Sequence, residues 1–208
     1  MTKTTALAFA ALLSLGSAQA APVLLTNSAS AALAGATVIN FESETLGSFT
    51  TRQFGGAVTF STAPGLMYVS SGMGGMYGAT GKYLETQYTP QPIQISFAAP
   101  VSAFGFNWGA ADQPWQMEVF GTNQALLATL SIAAQSGNYA GFIGADGGGA
   151  AIGSARLTAL SSYGYDYVLI DNLKYVAGGA TAHVPEPQSL ALVGLALLGA
   201  AAARRRRA

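Results

Sequence analysis

The sequence predicts an all-β fold, a two-sheet antiparallel β-sandwich set between two terminal export segments. Three observations predict it. Short alternating apolar and polar runs recur along the middle of the chain between Gly, Pro and Asn punctuation, the pattern of half-buried strands. That middle, residues 21–182, is about 160 residues long, enough for one domain with its own core. It contains no cysteine, so packing rather than disulfides must hold an exported domain of this size.

The first element, residues 1–20, reads as a cleavable signal helix. Lys3 supplies the positive start and Ala6–Leu15 an apolar run too short to cross a bilayer of ~30 Å. Ala18-Gln19-Ala20 then places small side chains at the two positions where signal peptidase admits only small ones. Cleavage after Ala20 makes Ala21 the mature N-terminus. Next comes a helical hint over Ala29–Ala34, with Ser28 as its cap and Gly35 as its stop. Ten strands follow: Thr37–Phe41, Ala57–Ser61, Leu66–Ser70, Ile93–Ala98, Ser102–Trp108, Trp115–Gly121, Leu126–Ile132, Tyr139–Ile143, Ala155–Leu160 and Asp166–Val176. The Gly clusters at 72–78 and 146–149 read as hairpin loops. Neither has the strand–turn–helix setting or the lysine of a phosphate loop.

The last element, residues 183–208, reads as a membrane-sorting tail. Val184-Pro185-Glu186-Pro187 interrupts the preceding structure and pre-forms a helix start. Leu190–Ala203 is uncharged throughout, and with the residues from Val184 it is long enough for a transmembrane helix in a thin membrane. Arg204-Arg205-Arg206-Arg207 then stops translocation and stays cytoplasmic, which leaves the N-terminal side outside, as a cleaved signal requires. This order of motif, apolar helix and Arg cluster resembles the PEP-CTERM signal of Gram-negative bacteria. The resemblance implies an exosortase, a membrane transpeptidase, processing the tail near Pro185-Glu186-Pro187. It also implies an inner-membrane-anchored precursor whose product goes to the cell surface or the extracellular space. The order Phe97–Asn107, Val119-Phe120-Gly121, Gly141–Gly144 and Leu169–Leu173 is similar to jelly-roll-like domains carried by such proteins, and implies that fold more than any activity.

The chain is formally neutral over its 208 residues, but Lys3 and the four terminal arginines are five of its nine basic residues. Without the two ends the domain keeps Arg52, Lys82, Arg156 and Lys174 against eight acids, a net charge of about −4. A nucleic-acid partner, which needs a basic face, is excluded. The only histidine is His183, in the linker, so Ser-His-Asp and Cys-His catalysis and a zinc site are excluded as well. Paired carboxylates suffice for glycosidases, yet the eight acids show no pairing signature. The expected function is therefore a non-catalytic surface or matrix protein associated with exopolysaccharide or biofilm. The alternatives are a carbohydrate-binding module with a defined glycan site and a secreted hydrolase.

Two local expectations complete the reading. Phe104, Phe106 and Trp108 alternate onto one face and read as core, whereas Trp115 borders the polar loop 109–114 and is the candidate glycan contact. Tyr68, Tyr77, Tyr83 and Tyr88 flank the Gly-rich segment and are expected to be partly exposed. Strict alternation in the last strand puts Tyr167, Leu169, Asp171, Leu173 and Tyr175 on one face. A carboxylate in that apolar lane needs a partner. A structural calcium held by Asp171 and Glu42 is the expectation, with Glu42 reached if the early and last strands are neighbours. Backbone N–H groups are the competing partner.

Overall fold

The strands form because β-prone residues alternate in burial. In Trp115–Gly121 every second residue is buried and the residues between are half-exposed; Val58–Thr62 does the same. The computed structural model describes residues 20–62, 64–86, 92–135, 140–160 and 166–178. The signal helix, the sorting motif, the apolar tail helix, the Arg cluster and Tyr88 lie outside the described residues. Among those described, no helix is long and apolar enough to cross a membrane.

The described residues form thirteen strands, in chain order. They are β1 (Val23–Leu25), β2 (Thr37–Ile39), β3 (Gly47–Phe49), β4 (Thr51–Phe54), β5 (Val58–Thr62), β6 (Met67–Ser70), β7 (Tyr83–Thr86), β8 (Ile93–Gly109), β9 (Trp115–Gly121), β10 (Leu126–Ile132), β11 (Ala140–Asp146), β12 (Ile152–Ala159) and β13 (Leu169–Ala177). All pairings are antiparallel in one continuous sheet that doubles over on itself.

The doubling is the work of β8. Its 17 residues join what the sequence presents as two strands, Ile93–Ala98 and Ser102–Trp108. The first half pairs with β5 and β12, as in Phe60↔Ile95 and Ala155↔Ile95. The second half pairs with β11 and β13, as in Ile143↔Phe106 and Ile170↔Trp108. Between the halves, Ala98, Ala99 and Pro100 are exposed, and proline there carries the strand around the corner without a lost ladder bond in a sheet interior. One layer is thus β4-β5-β8-β12-β9-β10. The other contains β1, β11, the rest of β8 and β13, with β2 and β7 on the far side of β13, then β6 and β3.

A single core fills the space between the layers. Ile93, Ile95, Met117, Val119 and Leu157 from one layer meet Phe104, Phe106, Trp108, Ile143, Ile170 and Leu173 from the other. Aromatic rings run through it with centroid spacings of 5.2 Å for Phe97–Phe104 and 5.3 Å for Trp108–Trp115. The predicted core placement of Phe104, Phe106 and Trp108 holds, and so does the pairing of early with last strand, through Leu173↔Ile39.

Several local expectations need correction. The helical hint is one turn of 3-10 helix over Ala31–Leu33, capped by Ser30 rather than Ser28. Four strands of three or four residues, β1, β3, β4 and β7, are too short to alternate visibly in the sequence. The last strand starts at Leu169, and its ladder to β8 shifts between Asp171 and Lys174, where Asn172 takes φ +50°. This bulge divides the predicted lane: Leu173 faces the main core, whereas Leu169 packs into a smaller outer cluster with Ala79, Tyr83 and Ala110.

Candidate functional site

Where β8 turns its corner, the chain leaves an open, largely apolar cleft of about 270 Å³. Phe97 and Ala98–Val101 form its floor, the β4–β5 turn at Gly56 and Ala57 one wall, and Tyr175 and Ala177 at the end of β13 the other. The walls are fixed to the corner by backbone bonds, Ala98 N–H to the Ala57 carbonyl and Gly178 N–H to the Pro100 carbonyl, each 2.8 Å. The turn that builds the first wall needs left-handed backbone at Gly55 (φ +56°) and Gly56 (φ +67°). Phe97 and Tyr175 are both half-buried, their rings 6.3 Å apart and inclined at 46°. The two rings and Pro100 give the cleft an aromatic and apolar lining.

Trp115 does not serve that purpose. Its ring is 1% exposed, packs edge-on against Trp108 and donates its indole N–H to Asp166 at 2.5 Å. Asp166 also accepts the N–H groups of Asp112 and Gln113, so the polar loop beside Trp115 folds down and covers it. The glycan contact expected at Trp115 is corrected accordingly. Burial pushes the Asp166 carboxyl above its ordinary range, and the bond from Trp115 pulls it part of the way back.

A second constellation surrounds the Gly-rich loop 71–82, which lies across the outer side of β8 and β13. Hydrogen bonds at four of its residues hold it there. The Met73 N–H donates to the Tyr83 hydroxyl at 2.8 Å, and Asn107 Nδ2 donates to the Gly78 carbonyl at 2.9 Å. Thr80 donates both its N–H (2.8 Å) and its hydroxyl (2.9 Å) to Asp171 Oδ2, and Lys82 N–H donates to Glu42 Oε1 at 3.1 Å. The loop sits so close that a Cβ on Gly109 would lie 1.9 Å from the Tyr77 carbonyl oxygen. Tyr83 is fully buried, contrary to expectation, whereas Tyr68 and Tyr77 are half-buried. Glu85, also buried, accepts the Tyr167 hydroxyl.

Asp171 and Glu42 therefore do come together at this loop, but as acceptors. Asn172 adds its N–H to Asp171 Oδ1 (2.6 Å) and its side-chain amide to Oδ2 (3.1 Å). With Oδ2 facing three donors, its lone pairs point at hydrogens rather than at an open cation position, and these residues do not fit a calcium site. Among the described residues, no three of His, Cys, Asp and Glu converge as metal ligands. Burial pushes the Asp171 carboxyl up, the donors from Thr80 and Asn172 pull it back, and the Glu42 charge pushes it up again.

Beyond the domain, residues 183–207 match the PEP-CTERM protein-sorting motif. The chain carries a PEP-CTERM sorting tail. Its PEP-CTERM tail marks a membrane-anchored precursor sorted to the cell surface or the extracellular space. Gly178, the last described residue, is bonded to Pro100 at the cleft, and the matched motif begins five residues later in the sequence.

No curated protein matches the chain. Among solved structures, the K2 cleaved adhesin domain of Lys-gingipain is similar over 70% of this chain and 99% of its own, at 10% identity and a TM-score of 0.44. A family 11 carbohydrate-binding module of a cellulosomal cellulase from Clostridium thermocellum is similar over 69% and 95%, at 14% identity and a TM-score of 0.36. An arabinoxylan arabinofuranohydrolase from Bacillus subtilis is similar over 50% of this chain, at 13% identity and a TM-score of 0.34, and the chain spans only 24% of that enzyme.

Proposed function

We infer that the mature domain is a non-catalytic β-sandwich displayed at the cell surface or in the extracellular matrix, where it associates with exopolysaccharide. Signal peptidase releases the N-terminus at Ala21 and exosortase processes the tail. One observation carries the non-catalytic reading: the buried carboxylates are engaged in structure. Asp166 holds Trp115 and its loop, Asp171 holds Thr80, and Glu85 accepts Tyr167. At the surface, Glu44 and Glu118 are paired with Arg52 and Arg156 at 2.6 and 2.7 Å. A hydrolase needs two carboxylates facing one bound sugar, and the lining of the cleft at the β8 corner offers aromatic and small residues instead.

That cleft favours the second reading, a carbohydrate-binding module with a defined site. Its contacts would be Phe97 and Tyr175 rather than Trp115, with the Tyr175 hydroxyl as the polar handle. A glycan array on the purified protein tests both readings. Saturable binding that Phe97→Ala and Tyr175→Ala reduce at least tenfold supports a defined site. Weak retention on polysaccharide that neither change alters supports display alone. Turnover of any glycan, lost on changing one acid, overturns the non-catalytic reading.

A further inference from the structure

The strand at the end of one layer, β10, is the feature that neither reading uses. Among the described residues it pairs with β9 alone, so one side of its backbone carries ladder donors and acceptors with no partner strand. Exposed edges in β proteins are ordinarily blunted by charge, proline or brevity. The other marginal strands here are blunted in that way. β1, β2 and β3 have three residues each, and β4 has four and carries Arg52. By contrast β10 has seven residues, Leu-Leu-Ala-Thr-Leu-Ser-Ile, with no charge, proline or glycine. It lies in a stretch that is uncharged from Val119 to Ala145. A bulge between Leu126 and Ala128 interrupts its start and leaves Ala128–Ile132 regular, and β1 of the other layer comes close to it without pairing.

We propose that this edge is a self-association surface, on which β10 of a second copy of the chain adds antiparallel to continue the layer across a two-fold axis. A copy of the same chain is the occupant that the observations favour over an unrelated strand. Two mature domains of net charge about −4 repel each other over most approaches, and this edge is where each presents no charge. The nearest charged side chains on the same layer, Glu118 and Arg156, are already neutralised by each other at 2.7 Å. An antiparallel self-pair sets Ala128 against Leu130 and Leu127 against Ser131 when centred on Thr129, with no like-charge contact at any register. The PEP-CTERM tail also gathers copies in one membrane, which raises their effective concentration for a weak edge contact.

The absence of native cysteine makes the test direct, because a single introduced thiol reports its own neighbours. Leu127→Cys, Thr129→Cys and Ser131→Cys are placed one at a time in the full chain in membranes, with Thr51→Cys on the opposite edge as control, and oxidised mildly. The expected result is a disulfide dimer that peaks at one of the three β10 positions and is at least fivefold weaker at Thr51. Adding Thr129→Lys and Ser131→Lys to the chain should remove a dimer seen by light scattering of detergent-purified protein while leaving the melting temperature unchanged. A chain monomeric at all concentrations, equal cross-linking at Thr51, or a dimer indifferent to the lysines (pairing through the tail) would each overturn the proposal. Stoichiometric retention of a different protein on β10 would do so as well.

Discussion

Asp171 is 1% exposed and accepts four hydrogen bonds, two from Thr80 of the outer loop and two from Asn172, so its removal leaves part-buried donors without their acceptor. Asp171→Ala should cost about 2–4 kcal/mol in urea denaturation, with loss of the loop's protection in hydrogen exchange. The same donors bear on calcium. Melting with and without chelator should give the same Tm, and a lower Tm in chelator would restore the cation expected at Asp171 and Glu42. Protonation has a definite sign here. Burial holds the folded-state pKa of Asp171 above its ordinary 3.8, so the folded chain binds this proton more tightly than the unfolded one. Its contribution is fully present below pH 3.8 and is lost as the pH rises through the folded pKa. Relative to Asp171→Asn, which cannot titrate, the wild-type chain should therefore gain stability between pH 7 and pH 4 in parallel denaturation series. A loss over that range would mean that the donors outweigh burial.

At the scale of elements, the Gly-rich loop rests on the absence of a side chain in β8. Gly109→Ala puts a methyl where the Tyr77 carbonyl now sits, and backbone cannot step aside as a flexible side chain can. The loop should lift, with a loss of about 1–3 kcal/mol and faster cleavage within residues 72–82 under limited proteolysis, while β9 and β12 keep their exchange protection. The strands that alternate over five or more residues, such as β5 and β9, were legible in the sequence because their burial has a period of two. The cleft was not, since a corner at 98–100 is needed before Phe97 and Tyr175 meet. Trp115 was misplaced for a similar reason. Its position beside a polar loop is visible locally, but the Asp166 that ties it inward is 51 residues away. The bulge at Asn172 breaks the alternation from which the environment of Asp171 was read, and nothing in Leu-Ile-Asp-Asn-Leu announces it.

For the whole molecule, sorting and fold are written in different ways. The tail is read in one dimension, as motif, apolar run and arginines in order, which is why residues 183–207 were recognisable without any structure. Its function depends on charge position. Replacing Arg204–Arg207 with uncharged residues should let the segment slip through the membrane, seen in fractionation as loss of the anchored precursor with release or mis-sorting of the protein. Unchanged retention and processing would show that the arginines do not set the stop.

The pairing of β2 with β13 reaches from the start of the domain to its end. A chain that is threaded outward from its N-terminus cannot complete this sheet until Ala177 has emerged. β2 therefore waits for its ladder partner until β13 has followed it through. Completion of this sheet thus belongs to the end of passage, just ahead of the residues that match the sorting motif.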